Sequence, residues 1–194
     1  MQRQFHRLAL TGALAISVFA SAVPAFAQMG DMAMADPMVG GAAMYPSKTI
    51  VENAVNSKDH TTLVAAVKAA GLVDTLSSPG PFTVFAPTNE AFDKLPPGTV
   101  DTLVQPENKA ALTKILTYHV VAGRYTAMDL MRMVKDGGGK AMLTTVEGAP
   151  LTVTQMGDHL MVTDAKGDVA NITIGDVFQS NGVIHVVDTV LLPG

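Results

Sequence analysis

The periodicity of hydrophobic and polar positions changes at the three glycines at 137–139. Before them, apolar side chains mostly recur every three or four residues, as on one face of an α-helix. Residues 61–70 are an example, with Leu63 and Val67 on one face and Gly71 as a stop signal. After the glycines, apolar and polar residues tend to alternate, which is typical of β-strands. The chain is therefore predicted to have a helical half followed by a strand-rich half.

The pattern predicts individual elements with turn residues between them. In the first half it predicts a strand at 82–85 and helices at 49–55, 61–70, 72–76, after Thr88, and at 100–104, 107–117 and 127–134. In the second half it predicts strands joined by turns at hairpin spacing: 141–146, 151–155, 160–164, 169–174 and 183–191. Because helices and strands form separate blocks, the fold class is α+β rather than a Rossmann-type alternation.

The N-terminus has the pattern of an export signal. Arg3 and Arg7 precede a mostly apolar run at 8–23, and Ala-Phe-Ala at 25–27 is a small-x-small cleavage site. The apolar run is too short to favour a membrane span. A signal peptide at 1–27 is therefore predicted, with a periplasmic or secreted mature chain and no stable membrane insertion after cleavage.

Charge and cysteine content narrow the function classes. The net charge of −4 becomes −6 once cleavage removes two arginines and no acids. An acidic exported chain is a poor candidate for binding nucleic acid or an anionic membrane. The chain has no cysteine, so a disulfide, a lipid-modified cysteine and a thiol nucleophile are all excluded.

Residues 28–45 are rich in methionine, glycine and alanine and poor in branched apolar residues. Such a segment buries little surface, so we expect a disordered linker there. Thioether sulfur is a soft ligand suited to Cu(I), which makes a copper site in this linker the alternative hypothesis. Its candidate ligands would be Met29, Met32, Met34 and Met38. No other cofactor is predicted.

Two runs are the most specific features of the chain. Residues 83–92 read Thr-Val-Phe-Ala-Pro-Thr-Asn-Glu-Ala-Phe, and residues 181–191 read Asn-Gly-Val-Ile-His-Val-Val-Asp-Thr-Val-Leu. Together with Tyr118 and His119 between them, they closely resemble the three signature segments of the fasciclin (FAS1) family. The resemblance covers about residues 45 to 194. It implies a FAS1 domain at 46–194, built as a wedge of antiparallel strands with helices packed beside it.

The resemblance also implies a function and candidate contact residues. Members of the family are mostly adhesion or matrix-binding modules without known catalysis. In some animal members a Tyr-His segment and an Asp-Ile pair have been implicated in receptor contact. Those positions fall here on Tyr118, His119, Asp176 and Val177, where valine replaces isoleucine. The partner implied is a cell-surface protein or glycan.

The remaining motif residues are interpreted mainly as structural: Thr88, Asn89, Phe92, Asn181, Gly182, His185 and Asp188. Thr88 suits a helix N-cap and Asn89 a turn that bonds backbone groups. His185 with Asp188 could suggest an acid–base pair, but the chain has no Gly-x-Ser-x-Gly nucleophile elbow. A histidine bonded to neighbouring polar groups is the better interpretation.

The sequence thus predicts an exported, non-catalytic binding module that acts in cell adhesion or surface interaction. The alternative is a periplasmic carrier of a metal or small ligand. That carrier would use the methionine-rich linker or a pocket between helices and sheet.

Overall fold

A computed structural model describes residues 36–194. The predicted signal peptide and the methionines Met29, Met32 and Met34 lie outside the described residues.

Seven α-helices occur within residues 36–194, mostly before the main run of strands. They are α1 (Ile50–Ala54), α2 (Thr61–Ala70), α3 (Val73–Ser77), α4 (Asn89–Asp93), α5 (Thr99–Leu103), α6 (Lys109–Tyr118) and α7 (Ala127–Asp136). Short 3₁₀ turns at Lys58–His60 and Pro106–Asn108 precede α2 and α6. The helices predicted from the sequence are all present, within a few residues of their expected ends.

Local sequence signals explain where these helices start and stop. Thr49 and Glu52 form a reciprocal capping box at the start of α1, and Thr126 and Asp129 form another at α7. Gly71 ends α2 in the left-handed region at φ 72°, a conformation that glycine adopts without steric strain.

The first two strands, β1 (Met38–Val39) and β2 (Ala42–Ala43), form a short hairpin, and the seven strands that follow form one sheet. They are β3 (Phe82–Pro87), β4 (Val120–Ala122), β5 (Lys140–Thr144), β6 (Pro150–Met156), β7 (His159–Thr163), β8 (Val169–Gln179) and β9 (Gly182–Val187). Their order is β4-β3-β9-β8-β7-β6-β5. The edge strands approach each other where Val121 pairs with Thr145 and the Val146 N–H donates to the Val120 carbonyl at 2.7 Å. The sheet therefore curls back towards itself.

The α+β class and the antiparallel meander of β5 to β9 are confirmed. One pairing corrects the expectation of a purely antiparallel wedge. β3 and β9 run parallel, with Phe85 opposite His185 and Phe82 opposite Gly182. This pairing joins positions about a hundred residues apart, so the local pattern of the sequence contains no signal for it.

The sheet separates two hydrophobic cores. On the helical side, Leu63, Leu112 and Ile184 belong to a core shared by α1 to α6 with β3 and β9. Inside the curl of the sheet, Leu130 of α7 packs with a second core that includes Leu151 and Val162. The motif strands β3 and β9 contribute residues to both cores, which explains why their burial is continuous rather than alternating.

The prediction of a disordered linker at 28–45 is wrong for residues 36–45, the part of it that the structure describes. A short hairpin forms there from β1 (Met38–Val39) and β2 (Ala42–Ala43), and Val39 and Met44 are buried in the helical-side core. Glycines 40 and 41 allow this tight turn, with positive φ at both. The packed domain therefore begins before residue 46.

Candidate functional site

The first motif fixes the start of α2 as well as its own helix. Thr88 is the N-cap of α4, as expected, and its hydroxyl accepts from the Ala91 N–H at 3.3 Å. Asn89 accepts from the Thr62 N–H at 3.0 Å and donates to the Lys58 carbonyl at 2.8 Å. Asn89 thus bonds backbone, as predicted, but it does so about thirty residues away. Phe92 is buried in the helical-side core.

The second motif begins with a buried amide that joins three segments. The Asn181 Oδ1 accepts from the Ile50 N–H at 3.0 Å, while its Nδ2 donates to the carbonyls of Leu76 at 2.7 Å and Ser78 at 3.0 Å. Next to it, a Cβ at Gly182 would collide with the carbonyl oxygen of Phe82. Both residues therefore hold β9 against its neighbours.

His185 is fully buried, and both ring nitrogens have partners. Its Nε2 lies 2.8 Å from the Tyr125 carbonyl, and its Nδ1 accepts from the Asp176 N–H at 3.3 Å. The ring stacks on Phe85 at a centroid distance of 5.8 Å. Burial lowers the pKa of His185, so the ring is neutral near pH 7. The prediction of a histidine bonded to neighbouring polar groups is confirmed.

Asp188 does not pair with His185. Its two carboxylate oxygens accept from the backbone N–H and the side-chain amide of Asn171 at 2.8 and 2.9 Å. Burial alone would raise the pKa of Asp188, but these hydrogen bonds and one from Thr189 hold it below its usual value. Asp188 therefore links β8 to the end of β9 through Asn171, and His185 has no hydrogen bond to a carboxylate.

Tyr118 and His119 occupy the junction between α6 and β4, and both are buried. The Tyr118 hydroxyl donates to the Pro150 carbonyl and accepts from the Ala165 N–H, each at 2.9 Å. The His119 Nδ1 lies 2.8 Å from the Ile115 carbonyl, and its Nε2 accepts from the Leu191 N–H at 2.9 Å. Each side chain ties a distant backbone segment to this junction.

Asp176 and Val177 lie on a bend in β8. The register of β8 against β9 shifts on either side of Ile174, and Asp176 adopts a left-handed backbone at φ 56°. The Asp176 Oδ1 accepts from the Ala127 N–H, the first residue of α7, at 2.7 Å. Val177 is fully buried in the helical-side core. The bend thus places the Asp176 carboxylate at the N-terminus of α7.

These positions correct the predicted contact surface. Tyr118, His119 and Val177 expose 0%, 2% and 0% of their surface, and the Asp176 carboxylate is engaged by α7. A buried side chain cannot reach a partner while the domain stays folded. The structure therefore gives all four residues a role inside the fold, although Asp176 remains half-buried at its margin.

Asp176→Ala is expected to lower the free energy of unfolding by about 1–2 kcal/mol, as loss of a helix cap does. Alanine removes the acceptor for the Ala127 N–H and does not suit the left-handed backbone. Urea unfolding measures this change. Asp176→Asn is the matched variant: it keeps an acceptor and tolerates that backbone, so it should retain most of the stability.

The structure contains an exposed surface that the motifs did not indicate. On the outer side of β5 to β8, two rows of side chains cross four strands in register. One row is Met142, Thr152, Thr163 and Val169, and the other is Lys140, Thr154, Met161 and Asn171. We call these eight residues the outer sheet face. It carries no acid and one lysine, in a chain of net charge −4.

The outer sheet face also exposes apolar side chains. Met142 is 67% exposed and Val169 is 46% exposed. The alternation of strands β5 to β7 contained the signal for this face, since every second residue there points away from the core.

Residues 36–194 show neither a metal-binding cluster of histidines and acids nor a membrane-spanning helix. That part of the chain holds no group of three or more His, Asp or Glu placed to bind a metal ion. It also contains no helix long and apolar enough to cross a membrane. Met38, the described member of the proposed copper ligands, is 60% exposed on β1.

Comparison with known proteins places this geometry in a family. Residues 58–193 match the family model of the Fasciclin domain. Protein sll1483 of Synechocystis is 45% identical over 183 residues, which cover 92% of this chain and 93% of that protein. The cell surface glycolipoprotein MPB83 of Mycobacterium bovis is 37% identical over 158 residues, which cover 81% of this chain and 61% of that protein.

A solved structure shows the same fold. It is a FAS1 domain pair from the insect cell adhesion molecule Fasciclin I, with a TM-score of 0.68 and 22% identity. The match covers 75% of this chain and 51% of that chain, so the present chain spans about half of the pair. From the family model, the relatives and the shared fold, we conclude that the chain belongs to the fasciclin (FAS1) domain family.

Proposed function

We propose that the protein is an exported, non-catalytic binding module that attaches to a partner at a cell surface. Its membership in the fasciclin family supports this proposal, as do a relative named as a cell surface glycolipoprotein and a fold neighbour named as a cell adhesion molecule. The observation that carries it is the outer sheet face, a partly apolar surface with one lysine and no acid on an otherwise acidic chain.

The composition of the outer sheet face favours a protein partner over a glycan. Protein interface cores are depleted in charged residues and enriched in methionine. The eight residues of the face include two methionines, three threonines and one lysine, but no aromatic ring on which a sugar could stack. Four strands about 4.8 Å apart span roughly 15 Å, enough for the centre of an interface rather than all of it.

The rigidity of the fold supports the same function. The face lies on regular strands whose opposite sides are buried in the second core, so its backbone is already ordered before contact. Less conformational entropy is then lost on binding. The motif residues contribute to this rigidity, because their hydrogen bonds hold the strands in place.

The test places a charge in the middle of the face. Thr152→Lys is expected to weaken capture of the mature chain by an extract of the producing cell's surface by at least about tenfold, because lysine would be desolvated in the contact. Binding is measured on immobilised protein, and unfolding in urea should change by less than about 0.5 kcal/mol, as for a surface substitution.

Thr75→Lys is the matched control, since Thr75 is an exposed threonine of α3 on the helical side. It adds the same charge and should leave capture unchanged. Equal weakening by both variants would show a general charge effect. If the Thr152→Lys chain were captured as well as the wild-type chain, the outer sheet face would not be the binding surface.

A further inference from the structure

The hairpin between β6 and β7 carries two methionines and a histidine outside the hydrophobic cores. Met156 ends β6 and His159 begins β7, and the two residues are paired across the turn at 157–158. Met161 follows two residues after His159 on β7. None of the three belongs to either core, and Met156 is 69% exposed. An exposed thioether contributes little to packing, so its sulfur is accessible to a ligand.

All three side chains project from the same side of the sheet. On β7, Leu160 and Val162 are buried in the second core, so the residues that alternate with them point outward. On β6, Gln155 lines a groove beside α7, on the inner side of the sheet. The next residue, Met156, therefore lies on the outer side, as its pairing with an outward residue of β7 also requires.

The register of the hairpin brings the three side chains within reach of one point. Residues directly opposed on antiparallel strands, such as Met156 and His159, have Cβ atoms about 4.5–5.5 Å apart. Met161 lies about 7 Å from His159 along the strand and about 7–8 Å from Met156 across the diagonal. Each sulfur is two bonds beyond Cβ on a side chain with three rotatable bonds. Both sulfurs and an imidazole nitrogen can therefore approach a common ion.

This set of donors selects a soft cation. Thioether sulfur is a soft ligand that favours Cu(I), and imidazole also suits copper. Structural zinc sites use four ligands drawn from thiolate, imidazole and carboxylate, whereas this hairpin offers His159 and Asp158. Asp158 adds a negative charge beside the donors, and Lys140 of the outer sheet face lies two strands away from Met161. The local charges are thus compatible with a bound cation.

We propose that Met156, His159 and Met161 form a surface site for Cu(I), with two sulfur ligands and one nitrogen ligand. The site borders the outer sheet face and shares Met161 with it, but it does not rest on the proposed attachment to a cell surface. It also differs from the copper site predicted in the linker, because its ligands are carried by paired strands. Ligands on an ordered backbone lose less conformational entropy when they bind.

The test uses Ag(I), a soft monovalent ion that keeps its oxidation state in air. It is titrated, without chloride, into the mature chain labelled with ¹³C at methionine methyl groups and with ¹⁵N at histidine. The methyl resonances of Met156 and Met161 and a ring nitrogen of His159 should shift together and saturate with one common dissociation constant. The methyl resonance of Met142 should stay in place. Zn²⁺ should leave all of these methyl resonances unchanged.

Substitutions at exposed positions separate a defined site from general binding to thioethers. Met156→Leu and His159→Gln each remove one ligand and should weaken Ag(I) binding at this hairpin by at least about tenfold. Met142→Leu is the matched control, because Met142 is 67% exposed on β5 and should leave the affinity unchanged. Urea unfolding without metal should be nearly the same for all three variants.

Three results would overturn the proposal. The first is a set of shifts confined to the methionines of residues 28–38, which would place the ion on the linker. The second is equal weakening by Met142→Leu and Met156→Leu, which would show that thioethers bind Ag(I) without a defined site. The third is a His159 ring that does not respond when the two methyl resonances are saturated.

Discussion

Asn181→Ala is expected to lower the free energy of unfolding by about 3 kcal/mol or more. The amide makes three hydrogen bonds to backbone groups of α1, α3 and the loop after α3. Each buried group left without a partner costs roughly 1–3 kcal/mol. Since small domains have only about 5–15 kcal/mol of stability, this is a large share. The melting temperature should fall by roughly 6–12 °C.

Two further variants test the cause. Asn56→Ala is the control, because Asn56 is an exposed asparagine with one bond to the Glu52 carbonyl, and it should change stability little. Asn181→Asp keeps the shape of the side chain but turns acceptor oxygens towards the Leu76 and Ser78 carbonyls. It should destabilise at pH 7 at least as much as alanine. An Asn181→Asp chain as stable as wild type would show that the amide donors do not matter.

The parts of the fold that were predicted correctly depend on neighbours in sequence. The start of the helix after Thr126 and the stop at Gly71 each involve residues within a few positions, so their pattern is visible in the chain. The same holds for Thr88, whose partner is Ala91. These signals place the helices and hairpins well, but they do not say which strand lies beside which.

The incorrect predictions depend on partners far away in sequence. His119 accepts a hydrogen bond from the backbone of Leu191, Tyr118 from that of Ala165, and Asp176 from that of Ala127. No local sequence pattern indicates these hydrogen bonds. The family resemblance implied a contact role for Tyr118 and His119, whereas the fold buries both side chains. The hairpin at 38–43 was missed for a related reason, since Met44 is buried by elements that follow it.

The position of the outer sheet face could have been predicted from the sequence. The outer sheet face follows from alternation in β5 to β7, because Met142 and Thr152 stand at outward positions once the strands are placed. A cavity of about 50 Å³ in the helical-side core could not have been predicted in this way, because it depends on how closely Leu63, Val84 and Ile184 pack in the folded chain.

Acid is expected to destabilise the domain through its buried histidines, with His119 the main contributor. Burial lowers the pKa of His119 from 6.5 to about 4, although the Ile115 carbonyl and the Asp164 charge oppose this shift. Its Nε2 accepts a hydrogen bond from the Leu191 N–H. Protonation of Nε2 would therefore place two hydrogen-bond donors against each other. The folded state thus excludes a proton that the unfolded chain binds.

The sign follows from this difference in proton binding. Because the folded pKa of His119 lies below the unfolded value, its full contribution to stability is present above about pH 6.5 and is lost towards pH 4. At 1.36 kcal/mol per pH unit, the loss between pH 7.5 and pH 5 is about 2 kcal/mol from this residue. Burial lowers the pKa of His60 and His185 as well, which adds loss in the same direction.

Urea unfolding at pH 7.5 and pH 5 measures the effect in the wild-type chain and in two variants. His119→Gln keeps an acceptor for the Leu191 N–H but does not titrate, so its stability should fall by about 2 kcal/mol less between the two pH values. His159→Gln, at an exposed histidine of β7, should keep the wild-type dependence. If His119→Gln showed the same fall as wild type, His119 would not be the group whose protonation unfolds the domain.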